Sequence, residues 1–333
     1  MKKFIAVCLA AVLYTIVFVE CDAQVRSASG KIRVVYSAIG ASQATVWIPY
    51  EAGIFRKHGL DVELLYVGGG SLAAQVLLSG EVAVGIFSGG TVISSGLGGG
   101  DLVIIAGGVD VIPFFLVARP ELKRLEDLKG KKIGITRFGS TTDFGLRFAA
   151  SKGGLNVERD FAVLQLGGQP EMMAGLTSGR VDAAMLNAEF TILARRAGFR
   201  ALVDMAVDGP PFPTGTLNTS RAFIRNNEDA VRRLVRAYVE GIHYAKTHRD
   251  FSIGVLKKYM KNDDTAYLGE IYELYLQHFI PKAPVPSAEA IRTVLRQLGE
   301  KDPKARAATP QQFMEPRFMQ ELESDGFIQQ LWR

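Results

Sequence analysis

Two hydroxyl-bearing glycine turns carry the residues of this chain best suited to chemistry on a small polar molecule: Gly70-Ser71, and Gly139-Ser140-Thr141-Thr142. Each stands where an apolar run gives way to a helical pattern, so each reads as a helix N-terminus. Backbone N–H groups there have no intrahelical acceptor and the helix dipole is positive, which favours an anionic or polar ligand. Either serine alone is accounted for as a cap of its own helix. Both together, at equivalent points of two lobes facing one cleft, point to ligand contact. Further candidates follow apolar runs that read as strands, where open α/β sheets gather ligands: Ser37 to Ser42, Ser88-Gly89-Gly90-Thr91, and Asn187 with Glu189. Glu189, an acid among hydroxyls, suits an ammonium or a heterocyclic N–H, with a solvated loop carboxylate as the plainer alternative. Phe114, Phe87 and Trp47 offer apolar walls or simply core.

Catalytic signatures are missing: there is no Gly-x-Ser-x-Gly elbow, no Ser-x-x-Lys, no P-loop and no His-Glu-x-x-His. His243 and His248 are five residues apart, on different faces of a helix, and His58 reads as part of a solvated helix end. No catalytic residue, metal site or cofactor is expected, and an enzymatic alternative would use Glu189 or Asp143 as a base. The formal charge of +5 is dispersed in pairs such as Lys131-Lys132 and Arg232-Arg233, without a basic stripe interleaved with aromatics. Nucleic acid is therefore not an expected partner. No cation is clearly placed among the glycine turns; Arg137 is the nearest candidate.

The N-terminus reads as an export signal: Lys2-Lys3, an apolar run over 4–19, then Cys21-Asp22-Ala23, with cleavage after Ala23. Val19-Glu20 before Cys21 disfavours a lipid anchor. Cleavage removes Cys8 and Cys21, the chain's two cysteines, and with them any disulfide, thiolate metal site or cysteine nucleophile. That suits an oxidising export compartment.

Positioning these residues takes two similar units, and the sequence contains a repeat. Gly59-Leu60-Asp61-Val62-Glu63 returns as Gly154-Leu155-Asn156-Val157-Glu158, and Leu77-Leu78-Ser79-Gly80-Glu81-Val82 as Leu176-Thr177-Ser178-Gly179-Arg180-Val181. An apolar run ending in glycines lies between the parts of each copy. Each copy reads as helix end, strand, glycine turn, helix, strand, and 333 residues are enough for two lobes. Strands are expected at 31–37, 61–67, 81–87, 102–106, 114–118 and 132–136. One helix should run to about His58, with Pro49 tolerable near its first turn. Others are expected at 72–78, 125–129 and from the Gly139 turn to about Lys152, with Ser140 and Asp143 at capping-box spacing. The proline-rich stretch 208–213 reads as the return crossing between lobes, and helices beyond Asn226, at 267–279 and 288–298, as scaffold packed on the first lobe.

Three segments together resemble a known family: Gly53-Ile54-Phe55-Arg56-Lys57-His58-Gly59-Leu60-Asp61-Val62-Glu63, Leu78-Ser79-Gly80-Glu81-Val82-Ala83-Val84-Gly85, and Leu125-Glu126-Asp127-Leu128-Lys129-Gly130-Lys131-Lys132-Ile133-Gly134. The chain is similar to the extracytoplasmic solute-binding proteins of ABC transporters for nitrate, sulfonate and taurine, related to thiamine-precursor (NMT1/THI5-like) binders. The resemblance implies an α/β, two-lobed periplasmic-binding-protein fold of type II with a helical C-terminal extension: signal peptide 1–23, lobe 1 at 31–117 and 216–333, lobe 2 at 118–215. It implies a periplasmic monomer that closes on a small polar or anionic molecule and delivers it to a membrane permease with its ATPase. Carried over by position, ligand contacts fall on Ser37 to Thr45 (with Ser42, Gln43 and Thr45), Gly70-Ser71, Ser88-Gly89, Gly139 to Thr142, and Asn187 to Glu189. Asn187-Ala188-Glu189 departs from the prolines of many relatives, so no relative's specificity transfers. The alternatives are a binder of a pyrimidine or aromatic compound that feeds a sensor, and an enzyme on the same fold, such as a thiamine-pyrimidine synthase or a lyase. The synthases use a cysteine-rich segment that this chain lacks.

Overall fold

The structure, a computed structural model, describes residues 30–333, so the export signal and both cysteines lie outside the described residues. Four strands come first: β1 (Ile32–Tyr36), β2 (Val62–Tyr66), β3 (Val84–Phe87) and β4 (Leu102–Ala106). Five follow: β5 (Phe114–Ala118), β6 (Lys132–Ile135), β7 (Ala162–Gln165), β8 (Ala183–Asn187) and β9 (Arg200–Asp204). β10 (Thr216–Ser220) is the last. They form two five-stranded sheets, β2-β1-β3-β10-β4 and β7-β6-β8-β5-β9. In each sheet the first three strands are parallel and the fourth is antiparallel to its neighbours. The sequence repeat is thus a repeat of topology, with β1 matching β6, β2 matching β7 and β3 matching β8.

The chain crosses between sheets twice. Val109 and Thr214 exchange backbone hydrogen bonds of 2.9 Å in both directions, and the Phe212 N–H donates to the Asp110 carbonyl at 3.1 Å. The return crossing expected at 208–213 is this second segment. A lobe boundary after residue 117 would leave β5 with the first lobe. Its pairing with β8 and β9 places it in the second sheet, so the change of sheet occurs between β4 and β5.

Three local expectations are corrected. The first helix stops at Glu51 and a short one resumes over Ile54–Lys57, because Gly53 takes a left-handed φ of 70°. Pro49 lies past the first turn of Ala44–Glu51, not within it. Its ring packs on Gly241 of the long helix Arg221–Thr247, where a Cβ would stand 2.6 Å from the ring. The stretch 125–129 is a 3-10 turn, Leu125–Leu128. An unforeseen helix, Gly89–Leu97, is rich in residues of low helix propensity; tertiary packing decides it, since Gly90 lies so close to Phe144 and Phe212 that a Cβ would be 2.9 Å from each ring.

The C-terminal helices do more than back the first lobe. Tyr272–Phe279 is a π-helix continuing Thr265–Ile271. Ala288–Gly299 reaches the second lobe, where Gln297 Nε2 donates to the Phe144 carbonyl at 3.2 Å. Just beyond it Lys301 shares Glu158 with Arg147. Gly241→Ala should cost about 1–3 kcal/mol by overpacking against Pro49, read as a lower urea midpoint at unchanged slope; an unshifted midpoint would contradict the packing described.

Candidate functional site

A cavity of ≈ 50 Å³ lies between the lobes at the C-terminal ends of the parallel strands. On the first lobe Ser37 and Ala38 follow β1, Gly69-Gly70 follow β2 and Ser88 follows β3. On the second, Thr136 and Ser140 to Thr142 follow β6, Gly168-Gln169 follow β7, and Phe114 opens β5. Four helices begin at this cavity: Gly70–Leu78, Gly89–Leu97, Thr141–Lys152 and Gln169–Thr177. Among the described residues, no carboxylate, lysine, arginine or histidine lines it. One water needs roughly 10–15 Å³ on the same measure, so the space suits a nitrate-sized ion or the head of a larger molecule.

The lining donors are held in place. Ser88 Oγ accepts the Gly90 N–H at 3.1 Å, which leaves its own proton to give. Thr136, Ser140 and Thr142 form a triangle of hydroxyls with edges of 2.8, 2.9 and 2.8 Å. Ser140 also donates to the Arg137 carbonyl at 2.7 Å, and Thr142 accepts the Thr136 N–H at 2.9 Å. Gln169 Oε1 accepts the Asn187 N–H at 2.9 Å and its amide nitrogen donates to the Met185 carbonyl at 3.4 Å. Asp143 is buried and its carboxyl pKa is raised by desolvation, against the lowering effect of the Gly139 N–H and Arg147. The expected capping box does not form: Asp143 accepts the Gly139 N–H at 2.9 Å, and the Ser140 side chain makes no cap bond because the hydroxyl triangle holds it.

A family model described as NMT1/THI5 like matches residues 43–250. The chain belongs to the NMT1/THI5-like family. A Brucella abortus (strain 2308) protein with the provisional name of a binding protein is 28% identical over 242 residues, covering 70% of this chain and 72% of that one. Among solved structures, a Bordetella bronchiseptica RB50 protein superposes with a TM-score of 0.79 at 21% identity, over 89% of this chain and 98% of that one. The nitrate-binding protein NrtA of Synechocystis PCC 6803 gives 0.72 at 12% identity over 89% of each chain. The aliphatic sulphonate binding protein SsuA of Escherichia coli gives 0.64 at 19%, over 81% of this chain and 91% of that one. These structures share the periplasmic-binding-protein fold with this NMT1/THI5-like chain.

The cavity gathers Ser37, Gly70, Ser88, Phe114, Ser140, Thr141 and Thr142 from the residues singled out in the sequence. It does not gather the others. The Ser71 hydroxyl donates to the Phe138 carbonyl at 2.8 Å, a bond from lobe to lobe. The Gly139 carbonyl accepts the Thr91 hydroxyl at 3.0 Å, also across the cleft. The Gly89 N–H donates to the Pro213 carbonyl at 2.7 Å. Ser42, Gln43 and Thr45 lie on the 3-10 turn Ala41–Gln43 and the helix after it, outside the cavity lining, with Gln43 and Thr45 buried. Asn187 caps the helix Ala188–Arg196 by accepting the Phe190 N–H at 3.1 Å.

Glu189 is on no solvated loop; it is fully buried in that helix's first turn. Its Oε1 accepts the Ala41 N–H at 2.5 Å and its Oε2 the Tyr275 hydroxyl at 3.2 Å. The two turns taken as equivalent are also not counterparts. Gly139 to Thr142 follows β6 and so matches the turn after β1, whereas Gly70-Ser71 after β2 matches Gly168-Gln169 after β7. Thr136 and Gln169 were missed, although the repeat itself points to Gln169: the apolar run of its second copy ends at Gly168. Gln169→Leu should leave the buried Asn187 N–H without an acceptor and cost about 1–3 kcal/mol, measured by chemical denaturation. A stability equal to the parent would show that the amide does not hold this wall.

Proposed function

We propose that this protein is the solute-binding component of an ABC importer, an exported periplasmic monomer that captures a small oxyanion in the interlobe cavity and presents it to a permease with its ATPase. One observation carries the reading: four helix starts, two from each lobe, converge with hydroxyl groups on one cavity that no carboxylate lines among the described residues. Such a site offers partial positive charge and N–H groups with no internal acceptor. Structural relatives named for binding nitrate and aliphatic sulphonate take oxyanions of this kind.

Capture is by closure. The bonds Ser71 to Phe138 and Thr91 to Gly139 exist only while the lobes are together, and a ligand touching both lobes favours that arrangement through contacts the open form lacks. Micromolar affinity corresponds to about −8 kcal/mol, within reach of several convergent hydrogen bonds to a charged group. Capture of this kind needs no reaction. For a sulfonate, Phe114 and Ala38 would face the carbon chain.

Titration calorimetry with nitrate, sulfate, ethanesulfonate and taurine should find at least one micromolar ligand. Ser88→Ala, which removes a donor to a charged group, should weaken it by about tenfold or more. Small-angle scattering should show a smaller radius with that ligand. Binding confined to cationic or uncharged aromatic compounds would sink the oxyanion reading.

A further inference from the structure

Glu189 has a setting that anion capture does not use. It projects from the second lobe into a fully buried junction with the first. The lobe-1 turn lies so tightly on it that a Cβ on Gly40 would stand 2.8 Å from both Glu189 Oε1 and Asn187 Nδ2. Facing the carboxyl are the Ala41 N–H and the Tyr275 hydroxyl, while Tyr267 donates to the Glu189 main-chain carbonyl at 3.0 Å. Among the described residues no cation pairs with it. Arg195 and Arg196 on its own helix lie over the rings of Phe115 and Tyr267, and Arg196 is paired with Asp264 at 2.9 Å. The turn Ala41–Gln43 brings no titratable group, and Glu273 and His278 of the π-helix are exposed.

Counting protons shows which form of Glu189 this junction fits. The Tyr275 hydroxyl has one proton and two acceptors, Glu189 Oε2 at 3.2 Å and the carbonyl of Pro113, on the crossing segment, at 3.4 Å. With Glu189 ionised, the proton goes to the carboxylate, the Pro113 carbonyl goes without, and a buried charge has no counter-ion. With Glu189 neutral, its O–H donates to Tyr275, Tyr275 donates to Pro113, and the other carboxyl oxygen still accepts the Ala41 N–H. Every polar atom of the relay is then satisfied and no charge is buried.

We infer that Glu189 is a proton-taking clasp between the lobes: closing the cleft on an anion draws one proton onto Glu189, so the protein takes up anion and proton together. In the closed form burial pushes the carboxyl up to about 7, against about 4.5 for an exposed one. The group therefore favours closure below about pH 7, and that gain is lost as pH rises through 7. Affinity should fall by about tenfold per pH unit between roughly 5 and 7, then level off.

The anion-binding arm of the test rests on the oxyanion reading above; the ligand-free arm does not. Calorimetry with nitrate or ethanesulfonate in buffers of different ionisation enthalpy should give uptake of about one proton at pH 6 and almost none at pH 8.5. Glu189→Gln keeps both hydrogen bonds as a fixed neutral mimic. It should take up no proton and should hold acid-form affinity at pH 8.5. Without ligand, small-angle scattering should give a smaller radius for the parent at pH 5.5 than at pH 8.5, and the same compact radius for E189Q at both. A pH-independent parent, or equal proton uptake by E189Q, would overturn the clasp. Should none of these anions bind at any pH, the oxyanion reading fails, and the ligand-free radii alone decide the clasp.

Discussion

A helix begins with N–H groups that none of its own carbonyls can reach, and here four such beginnings are brought to one enclosed space. At Gly89–Leu97 the first N–H groups already find Pro213 and Ser88, and a buried N–H left without any acceptor costs about 1–3 kcal/mol. The arrangement follows from parallel pairing. In β1-β2-β3 and in β6-β7-β8 each strand ends on the same edge of its sheet, so every turn into the next helix lies on that edge. Facing two such edges across a pair of crossing segments produces a site that wants an acceptor.

Around that space the interlobe contacts differ in strength. At the cavity rim Ser71 and Thr91 reach over with single neutral hydrogen bonds, each worth about 0.5–1.5 kcal/mol. Beside the crossing segments the Glu189 junction is fully buried and its worth depends on its proton. The C-terminal helices add a strap, with Gln297 on Phe144 and the Arg147–Glu158–Lys301 ion pairs. Exposed ion pairs of that kind contribute about 0–1 kcal/mol each, so the strap adds little to the contact between the lobes. The Val109–Thr214 pairing ties the two crossings into one ribbon.

The sequence already showed most of the strands, because apolar runs bounded by glycines and turn residues have few other uses; β4 and β5 fall where 102–106 and 114–118 were expected, whereas β9 and β10 stand where no strand was expected. It showed the twofold repeat, the return crossing, and Ser37, Gly70, Ser88 and Ser140 to Thr142 of the cavity. It did not show the helix Gly89–Leu97, since local propensity argues against it and only the neighbouring Phe144 and Phe212 make its small residues useful. Nor did it show Pro49 past the first turn of its helix, where its ring packs on the facing Gly241.

Sequence alone therefore determined the units and the edge on which ligand chemistry gathers, because both follow from local periodicity and from where strands end. Tertiary structure decided which members of each turn face the cavity, which face the partner lobe, and which are buried. Ser71 and Ser140 look alike in sequence, yet one donates across the cleft to Phe138 and the other is held in a hydroxyl triangle with Thr136 and Thr142. Glu189 reads as an exposed acid until Ala41 and Tyr275 are brought to it from residues far away in the chain. Those contacts join segments more than 80 residues apart, and no local pattern encodes a meeting that only the packing of two lobes creates.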